Sequence, residues 1–457
     1  MKILPSIAVV VFVVLLNGIV RADTVESDVP FNVDGDTLEA RPILDEKWLW
    51  GDEVEMTGLD RDLVGVATLI GERRYVQAVD RLMPLTRKHP ETVQVWFVLT
   101  VARYGRGQYD LALASADRCV QLRPHSPEPL WLRASILVAQ GHLHSAESNY
   151  RRAIELNPKR PVGYLQRARF YISYRSEDPA KMGAAVTDIE QAAQRGASEA
   201  ATEAMLGHAY EVTGDVRRAV THYRSAIDAR PGDLYILGRL VPLYDQAGLA
   251  AQSDALLSAI DGSKLGNPRK VARLATIRAS HGIATGMASE KIERYYRDAL
   301  LVTPNDLAVR LEFARWLETD GRNAAAIPVL RKALQSEPYD PQAAAQLAWA
   351  LADDGKELDE ARRWYAVAKQ HDPSSPYLLD TGAWIEYQAG EYDRALEVLQ
   401  PSLRLAKQVP EIAYHAGAIY ARLNEPDKAR RFLRMALAAK RPFNGRAAAE
   451  ALLEQLH

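Results

Sequence analysis

The side chains best suited to chemistry in this sequence are aromatic and lie in its C-terminal third. They are Trp349, Trp384, Tyr387 and Tyr414. Rings of this kind supply large, rigid apolar surfaces and dominate the energetics of many binding interfaces. We therefore expect these rings to bind a partner. The competing interpretation is that the same rings pack against neighbouring helices and only stabilise the fold.

No motif in the chain indicates catalysis. The sequence contains no Gly-rich phosphate loop, no zinc-protease helix motif and no serine-hydrolase elbow. His142 and His144 flank Leu143 in a tight turn, but they would hold a metal only with ligands brought from elsewhere, so an exposed turn pair is the better interpretation. We predict no catalytic residue, no metal site and no cofactor, and hence a protein that is not an enzyme.

A repeat of 34 residues organises the elements that must position these rings. Alanines and prolines recur at this spacing, at Ala78, Ala112, Ala146, Pro90, Pro124 and Pro158. After a slip of five residues the alanine phase resumes at Ala185 and Ala219, and it returns from Ala326 to Ala429. A fixed period of this length indicates stacked supersecondary units and not a compact catalytic domain.

Each unit is predicted to be a helical hairpin. Residues 200–233 show the pattern best, with apolar residues at helical spacing on both sides of a turn at Gly214. Small residues at Gly207 and Ala219 would let the two helices approach closely, and the Tyr223 ring would fill the remaining space. Pro231 ends the second helix because it lacks an amide donor.

These residues resemble the tetratricopeptide repeat (TPR) signature. The matching series is Leu206, Gly207, Tyr210, Gly214, Ala219, Tyr223, Ala226 and Pro231, and residues 93–126 and 307–340 repeat it. The resemblance implies an all-α, right-handed superhelical solenoid. When units are placed every 34 residues from Leu59 onward, the sequence holds roughly eleven hairpins.

The 34-residue period also predicts domains and irregularities. We expect an N-terminal repeat block over 59–264, a C-terminal block over 265–443 and a capping helix over 444–457. An insertion is predicted around Arg175 to Lys181, between two helices. The unit around Arg273 is expected to have a poorly formed first helix, because His281, Gly282 and Gly286 weaken its helical pattern.

The family resemblance also implies which residues line the concave groove, since the first helix of each unit faces it. In the C-terminal block the predicted partner-binding residues are Arg315, Glu318, Trp349, Asp380, Trp384, Tyr387, Tyr414 and His415. A secondary set in the N-terminal block comprises Trp131, Arg169, His208 and Arg239. Residues 380–384 also resemble an Asp-Thr-Leu-Gly-Trp stretch common in bacterial exported TPR proteins linked to exopolysaccharide secretion, although Gly382 replaces the leucine.

The first 22 residues have the layout of a secretory signal peptide. Lys2 gives a basic start, Ile7 to Leu16 is an uninterrupted apolar run, and Ala22 precedes the expected cleavage site. We therefore predict an exported, periplasmic protein with no stable membrane span after cleavage. The alternative is an uncleaved segment that anchors the chain to the inner membrane.

A leader, residues 23–58, differs in charge from the repeats that follow. It has eleven acidic residues against Arg41 and Lys47, a net charge of −9, which leaves about +5 for the repeat region. Within it, Trp48 and Trp50 are candidates for docking on a basic surface of the repeats or of a partner. The alternative is a solvated leader whose tryptophans staple onto the first hairpin.

Composition and charge narrow the function classes. A near-neutral chain, with a net charge of −2, lacks the broad basic face that nucleic-acid binding requires. The single cysteine, Cys119, excludes an internal disulfide and is expected to be a buried thiol. Two functions remain. One is a scaffold that binds protein partners of the bacterial cell envelope, in a secretion or exopolysaccharide system; the other is a polysaccharide-binding protein that uses the same aromatic groove.

Overall fold

The computed structural model describes residues 58–71, 74–440 and 443–456 of the chain. This part contains 23 α-helices and no β-strand, and none of these helices is long and apolar enough to cross a membrane. The chain divides into two compact units, one that ends at Leu256 and one that begins at Leu257. The predicted all-α class is confirmed, whereas the count of about eleven repeats and the right-handed coil stay predictions.

The first unit contains twelve consecutive helices, the last of which holds the division between the units. They are α1 (Gly58–Gly71), α2 (Tyr75–Lys88), α3 (Val93–Gly105), α4 (Tyr109–Leu122), α5 (Glu128–Ala139), α6 (Leu143–Leu156), α7 (Pro161–Tyr174), α8 (Pro179–Gln194), α9 (Glu199–Val212), α10 (Val216–Ala229), α11 (Leu234–Gln246) and α12 (Ala250–Ser258).

The second unit continues the series after a short 3-10 helix at Gly262–Lys264. Its helices are α13 (Pro268–Ala284), α14 (Ser289–Val302), α15 (Leu307–Thr319), α16 (Asn323–Ser336), α17 (Pro341–Asp354), α18 (Leu358–His371), α19 (Pro376–Gln388), α20 (Tyr392–Leu399) with a 3-10 extension (Gln400–Leu405), α21 (Pro410–Arg422), α22 (Pro426–Leu437) and α23 (Arg446–Gln455). Up to α21, the odd-numbered helices are the first helices of their hairpins.

A small residue on the first helix lets the two helices of a hairpin approach closely. A Cβ atom at Gly207 of α9 would lie 2.7 Å from Cδ1 of Tyr223 on α10, so only glycine fits under that ring. Tyr223 is fully buried, and its hydroxyl donates to Glu211 Oε2 at 2.7 Å. The ring is therefore fixed in the space that the missing Cβ leaves.

Successive hairpins share their apolar cores. In the first unit the buried clusters span residues 63–136 and 130–209, and in the second they span residues 272–418 and 383–449. Because the clusters overlap along the chain within each unit, the hairpins that they cover bury their remaining apolar faces against their neighbours. Cys119 belongs to the first of these clusters, where burial raises the pKa of its thiol to about 12 and keeps it unreactive.

The predicted insertion after α7 is divided between a loop and a helix. Residues 175–178 form the loop, and α8 has 16 residues where α6 and α10 have 14. The carboxylate of Asp178 accepts hydrogen bonds from the backbone amides of Ala180 and Lys181. This N-cap, followed by Pro179 at the first helical position, sets where α8 begins.

The prediction of a poorly formed first helix near Arg273 is wrong. Helix α13 runs from Pro268 to Ala284 and, with 17 residues, is the longest helix of the described part of the chain. His281 is buried within it, and a Cβ at Gly282 would lie 3.1 Å from Ile292 Cγ1. Tertiary packing by α14 therefore outweighs the low helix propensity of these residues, and Gly286 belongs to the turn that follows.

Substitution of Gly207 tests the hairpin packing. We expect Gly207→Ala to lower the free energy of unfolding by roughly 1–3 kcal/mol, because the fixed Tyr223 ring cannot move away from the new methyl group. The matched control is Gly183→Ala on α8, where no atom lies within 4 Å of the added Cβ. The control should stabilise the chain by up to about 1 kcal/mol through helix propensity. Urea unfolding would show both effects, and two equal values would contradict this packing.

Candidate functional site

Five rings from three consecutive first helices meet in the second unit. We call them the aromatic cluster: Trp349 from α17, Trp384 and Tyr387 from α19, and Tyr414 and His415 from α21. Trp384 stacks on Tyr387 with ring centroids 4.6 Å apart and on His415 at 4.2 Å. Trp349 lies 5.6 Å from His415, and Tyr414 lies 5.7 Å from Trp384. The structure thus brings together the aromatic residues that the sequence predicts for the groove.

Helical spacing puts the α19 members of the site on one face. Asp380, Trp384 and Tyr387 occupy positions i, i+4 and i+7 of α19, which lie one above the other. Gly382 belongs to a different face, where a Cβ would lie 2.5 Å from Cζ of Tyr365 on α18. A leucine at this position, as in the Asp-Thr-Leu-Gly-Trp stretch that residues 380–384 resemble, would collide with that ring. The glycine is therefore explained by the packing of α18.

A buried ion-pair geometry fixes the orientation of the His415 ring. Nδ1 of His415 lies within hydrogen-bond distance of both side-chain oxygens of Asp380, at 2.8 Å from Oδ1 and 3.0 Å from Oδ2. His415 is 2% exposed and Asp380 is 6% exposed. A carboxylate this deeply buried requires its partner. The pair therefore holds the imidazole flat against Trp384.

Burial separates the predicted groove residues into two groups. Trp384 is only 6% exposed, and together with Asp380 and His415 it forms the base of the site. Its indole Nε1 is buried and has no hydrogen-bond partner among the described residues. Trp349, Tyr387 and Tyr414 are half-buried. The exposed parts of these three rings are therefore the apolar surface that the site offers a partner, and the base is not.

Glu318, at the end of α15, adds an acidic group to the site. Its side chain is half-buried, and Oε1 is buried without a hydrogen-bond partner among the described residues. Burial raises the pKa of the Glu318 carboxyl to about 7, an effect that the positive charge of Arg315 opposes and the negative charge of Asp353 increases. Asp353 also raises the pKa of Tyr414, after burial and Tyr387. Arg315 itself is exposed.

The sequence analysis missed Phe443 and Asn444, which also reach this site. The Phe443 ring lies 6.3 Å from the ring of Tyr414, and the Asn444 side-chain amide donates to the backbone carbonyl of Glu318 at 3.1 Å. Phe443 is the last residue of the predicted repeat block and Asn444 is the first residue after it, so the 34-residue period assigns neither of them a groove position. The Asn-Gly pair at 444–445 is a turn signal that could have drawn attention to the segment.

Two residues of the secondary set, His208 and Arg239, belong to one polar network in the first unit, and the other two lie outside it. Arg239 Nη2 lies 3.0 Å from His208 Nδ1, and Arg239 Nε lies 3.1 Å from Glu211 Oε2. Burial lowers the pKa of His208. Burial alone would raise the pKa of Glu211, but hydrogen bonds with His208 and Tyr223 and the charge of Arg239 lower it. Through Glu211 this network holds the Tyr223 ring that packs on Gly207.

Trp131 and Arg169 have their own local partners. Trp131 is buried, with the Arg160 guanidinium carbon 5.8 Å from its ring centroid. Arg169 is half-buried and donates to the side chain of Gln166, and burial lowers its pKa. Trp48 and Trp50 of the leader lie outside the described residues.

Models of the tetratricopeptide repeat match residues 127–160, 317–385 and 381–445. Two curated relatives share 26% identity over 309 residues (62% of this chain) and 27% over 214 residues (46% of this chain). They are a cellulose synthase operon protein C of Xanthomonas axonopodis pv. citri (strain 306) and a TPR repeat-containing protein of Pseudomonas aeruginosa. The aligned parts cover 20% of the Xanthomonas protein and 35% of the Pseudomonas protein, so this chain spans only about a fifth of the first relative and a third of the second.

A crystal structure of a tetratricopeptide repeat protein from Parabacteroides merdae is also similar, with a TM-score of 0.44 and 16% identity over 56% of this chain and 98% of that one. The stacked hairpins define a helical-repeat protein, and the aromatic cluster is its candidate site. The residues that the family models match are tetratricopeptide repeats.

Removal of Asp380 tests the base of the site. We expect Asp380→Ala to lower the free energy of unfolding by roughly 2–4 kcal/mol, because the buried His415 loses its partner. Asp359→Ala is the control, since that side chain is 98% exposed although it pairs with Arg362. The control should change stability by less than about 0.5 kcal/mol. Equal effects in urea unfolding would show that the buried pair does not support the site.

The raised pKa of Glu318 predicts a pH-dependent loss of stability. The unfolded carboxyl ionises at its ordinary pKa of 4.5 and the folded one at about 7. The stabilising effect of the proton is fully present below pH 4.5 and is lost as the pH rises through 7, a loss of up to about 3 kcal/mol. Glu318→Gln should therefore be more stable than the wild type at pH 8 and nearly equal to it at pH 5.

Thermal unfolding at these two pH values measures the effect. The control is Glu397→Gln, an exposed glutamate of α20, which should give the same small change at both pH values. A Glu318→Gln variant that shows no added stability at pH 8 relative to pH 5 would contradict the raised pKa.

Proposed function

We propose that the chain is an exported scaffold that binds protein partners in the bacterial cell envelope through the aromatic cluster. The observation that carries this proposal is the set of three half-buried rings, Trp349, Tyr387 and Tyr414, held on rigid first helices above a buried base. Rings fixed in this way lose little conformational entropy on binding and act as anchors for a partner. Arg315 and Glu318, on the neighbouring helix, would give the surface its polarity.

The cellular setting is a finer proposal. The name of the Xanthomonas relative, a cellulose synthase operon protein, supports a role in assembling a secretion or exopolysaccharide system. The predicted signal peptide over residues 1–22 supports export to the periplasm. In this setting the chain would hold envelope proteins together and would not carry out a reaction.

Substitution of the accessible rings tests this function. In intact cells we expect the double variant Trp349→Ala, Tyr387→Ala to crosslink to its envelope partners at a yield at least tenfold lower than that of the wild-type chain. The reason is that truncation of an anchor residue commonly costs more than about 1.4 kcal/mol of binding free energy. The matched control is Tyr339→Ala, a ring that is 82% exposed and lies outside the aromatic cluster. Mass spectrometry of the crosslinked products would identify the partners.

Two outcomes would change the proposal. If the double variant retains every crosslinked partner, the aromatic cluster is not the binding surface. If the wild-type chain is retarded in a gel that contains hydroxyethyl cellulose and the double variant is not, the rings stack on sugars and the polysaccharide-binding function is favoured instead.

A further inference from the structure

A C-terminal segment of the second unit lies against one ring of the aromatic cluster, that of Tyr414. We call residues 443–445, Phe-Asn-Gly, the covering segment. Phe443 is buried beside Tyr414, and the backbone of Gly445 lies on the same ring, since a Cβ at Gly445 would be 2.7 Å from Tyr414 Cε1. Gly445 also has a φ of 98°, which favours glycine. Both features allow the main chain to approach the tyrosine face directly.

Asn444 connects this segment to the far side of the site. Its side-chain amide donates to the Glu318 carbonyl, 126 residues earlier in the chain. Glu318 lies in the last turn of α15 and Tyr414 lies on α21, so residues 443–445 contact the two ends of the predicted groove set. The covering segment therefore occupies the part of the site that Tyr414 and the end of α15 form.

The helix that follows the covering segment has its own anchors. Arg430 of α22 donates to the Leu456 carbonyl at 2.7 Å, and Arg446 donates to the carbonyls of Leu437 and Ala439 at 2.9 and 3.0 Å. Leu452 packs against the buried cluster that contains Trp384. These contacts attach α23 to α22 without the help of residues 443–445, whereas Phe443 is held by the apolar core of the last helices.

The covering segment leaves one buried hydrogen-bond acceptor of the site without a donor. It satisfies the main-chain carbonyl of Glu318, but the carboxylate Oε1 remains buried without a partner among the described residues. A ligand with an additional N–H donor at this point would gain a charge-assisted hydrogen bond that the covering segment does not make. The site is therefore better matched to another peptide of the same pattern than to its own segment.

We propose that the aromatic cluster recognises an extended protein segment that presents an aromatic residue, a side-chain amide and a glycine in sequence, with a cationic neighbour for Glu318. The covering segment is the stand-in for this ligand, and the partner displaces it. This inference rests on the proposed function, because it names the partner class of the same site. The partner is identified by its chemistry: a ring on Tyr414, an amide on the end of α15 and a donor to the Glu318 carboxylate.

A peptide added in trans tests the proposal. The probe is a fluorescent heptapeptide with the sequence of Lys440 to Arg446, which contains the Phe-Asn-Gly pattern and flanking cations. We expect it to bind the full-length variant Phe443→Ala, Asn444→Ala at least tenfold more tightly than the wild type, because the substitutions vacate the site. Adding Tyr414→Ala to the variant should abolish binding. A probe with alanine in place of the phenylalanine is the matched control peptide.

Equal binding to the wild type and the vacated variant, or binding to neither, would overturn the proposal. Hydrogen exchange should show faster exchange at residues 443–446 of the variant and unchanged protection in α19 and α21. If α19 and α21 lose protection, the single variant Asn444→Ala replaces the double one, with an expected gain in affinity of a few fold. A wild-type chain that forms dimers by exchanging residues 443–456 would show that a second copy is the occupant, and this too would overturn the proposal.

The result can be separated from a failure of the proposed function. If the peptide behaves as expected but the envelope partners are unaffected by Trp349→Ala, Tyr387→Ala, the site binds peptides and the cellular function is wrong. If those partners are lost but the peptide does not bind the vacated variant, the site binds proteins and the Phe-Asn-Gly pattern is wrong.

Discussion

The close approach of the two helices within a hairpin is the constraint on which the rest of the structure depends. Gly207 beneath Tyr223 of α10 shows this approach within a hairpin, and Gly382 beneath Tyr365 of α18 shows the same solution between a first helix and the second helix of the preceding hairpin. In both cases a missing side chain on a first helix receives a ring from a second helix. This interlocking fixes the rotation of the first helix, and the rotation decides which of its side chains face the next hairpin and which face the site. The stacking of Trp384 on His415 is therefore a consequence of packing on the opposite face of α19.

The sequence was sufficient for the fold class because its signal is local and repeated. Alanine and proline at a fixed spacing require only that each hairpin pack on its neighbours, and no distant pairing has to be inferred. The prediction failed at α13, where His281 and Gly282 are poor helix formers but are held by contacts with α14 that cannot be read from a propensity. The sequence showed that five residues are inserted in this repeat. It did not show how many of them lie in the loop at 175–178 and how many lengthen α8, because the N-cap at Asp178 decides where that helix begins.

The candidate site was predicted less completely than the fold. The family resemblance implied the first-helix positions, and the structure brings Trp349, Trp384, Tyr387, Tyr414 and His415 together. Their burial could not be predicted, since it depends on how tightly α19 and α21 pack and on what lies over them. The 34-residue period could not predict a role for Asn444, because the contact of this residue with Glu318 depends on the path of the chain after the last repeat.

That contact also changes how the second unit should lose its structure. In a repeat array with only nearest-neighbour contacts, the terminal hairpins fray independently of the interior ones. The hydrogen bond between Asn444 and the end of α15 closes the last part of the chain into a loop, so α17 to α22 cannot open from the C-terminal end without first breaking it. The second unit thus gains a degree of cooperativity that a linear array lacks, and the occupancy of one small surface becomes coupled to the order of three hairpins.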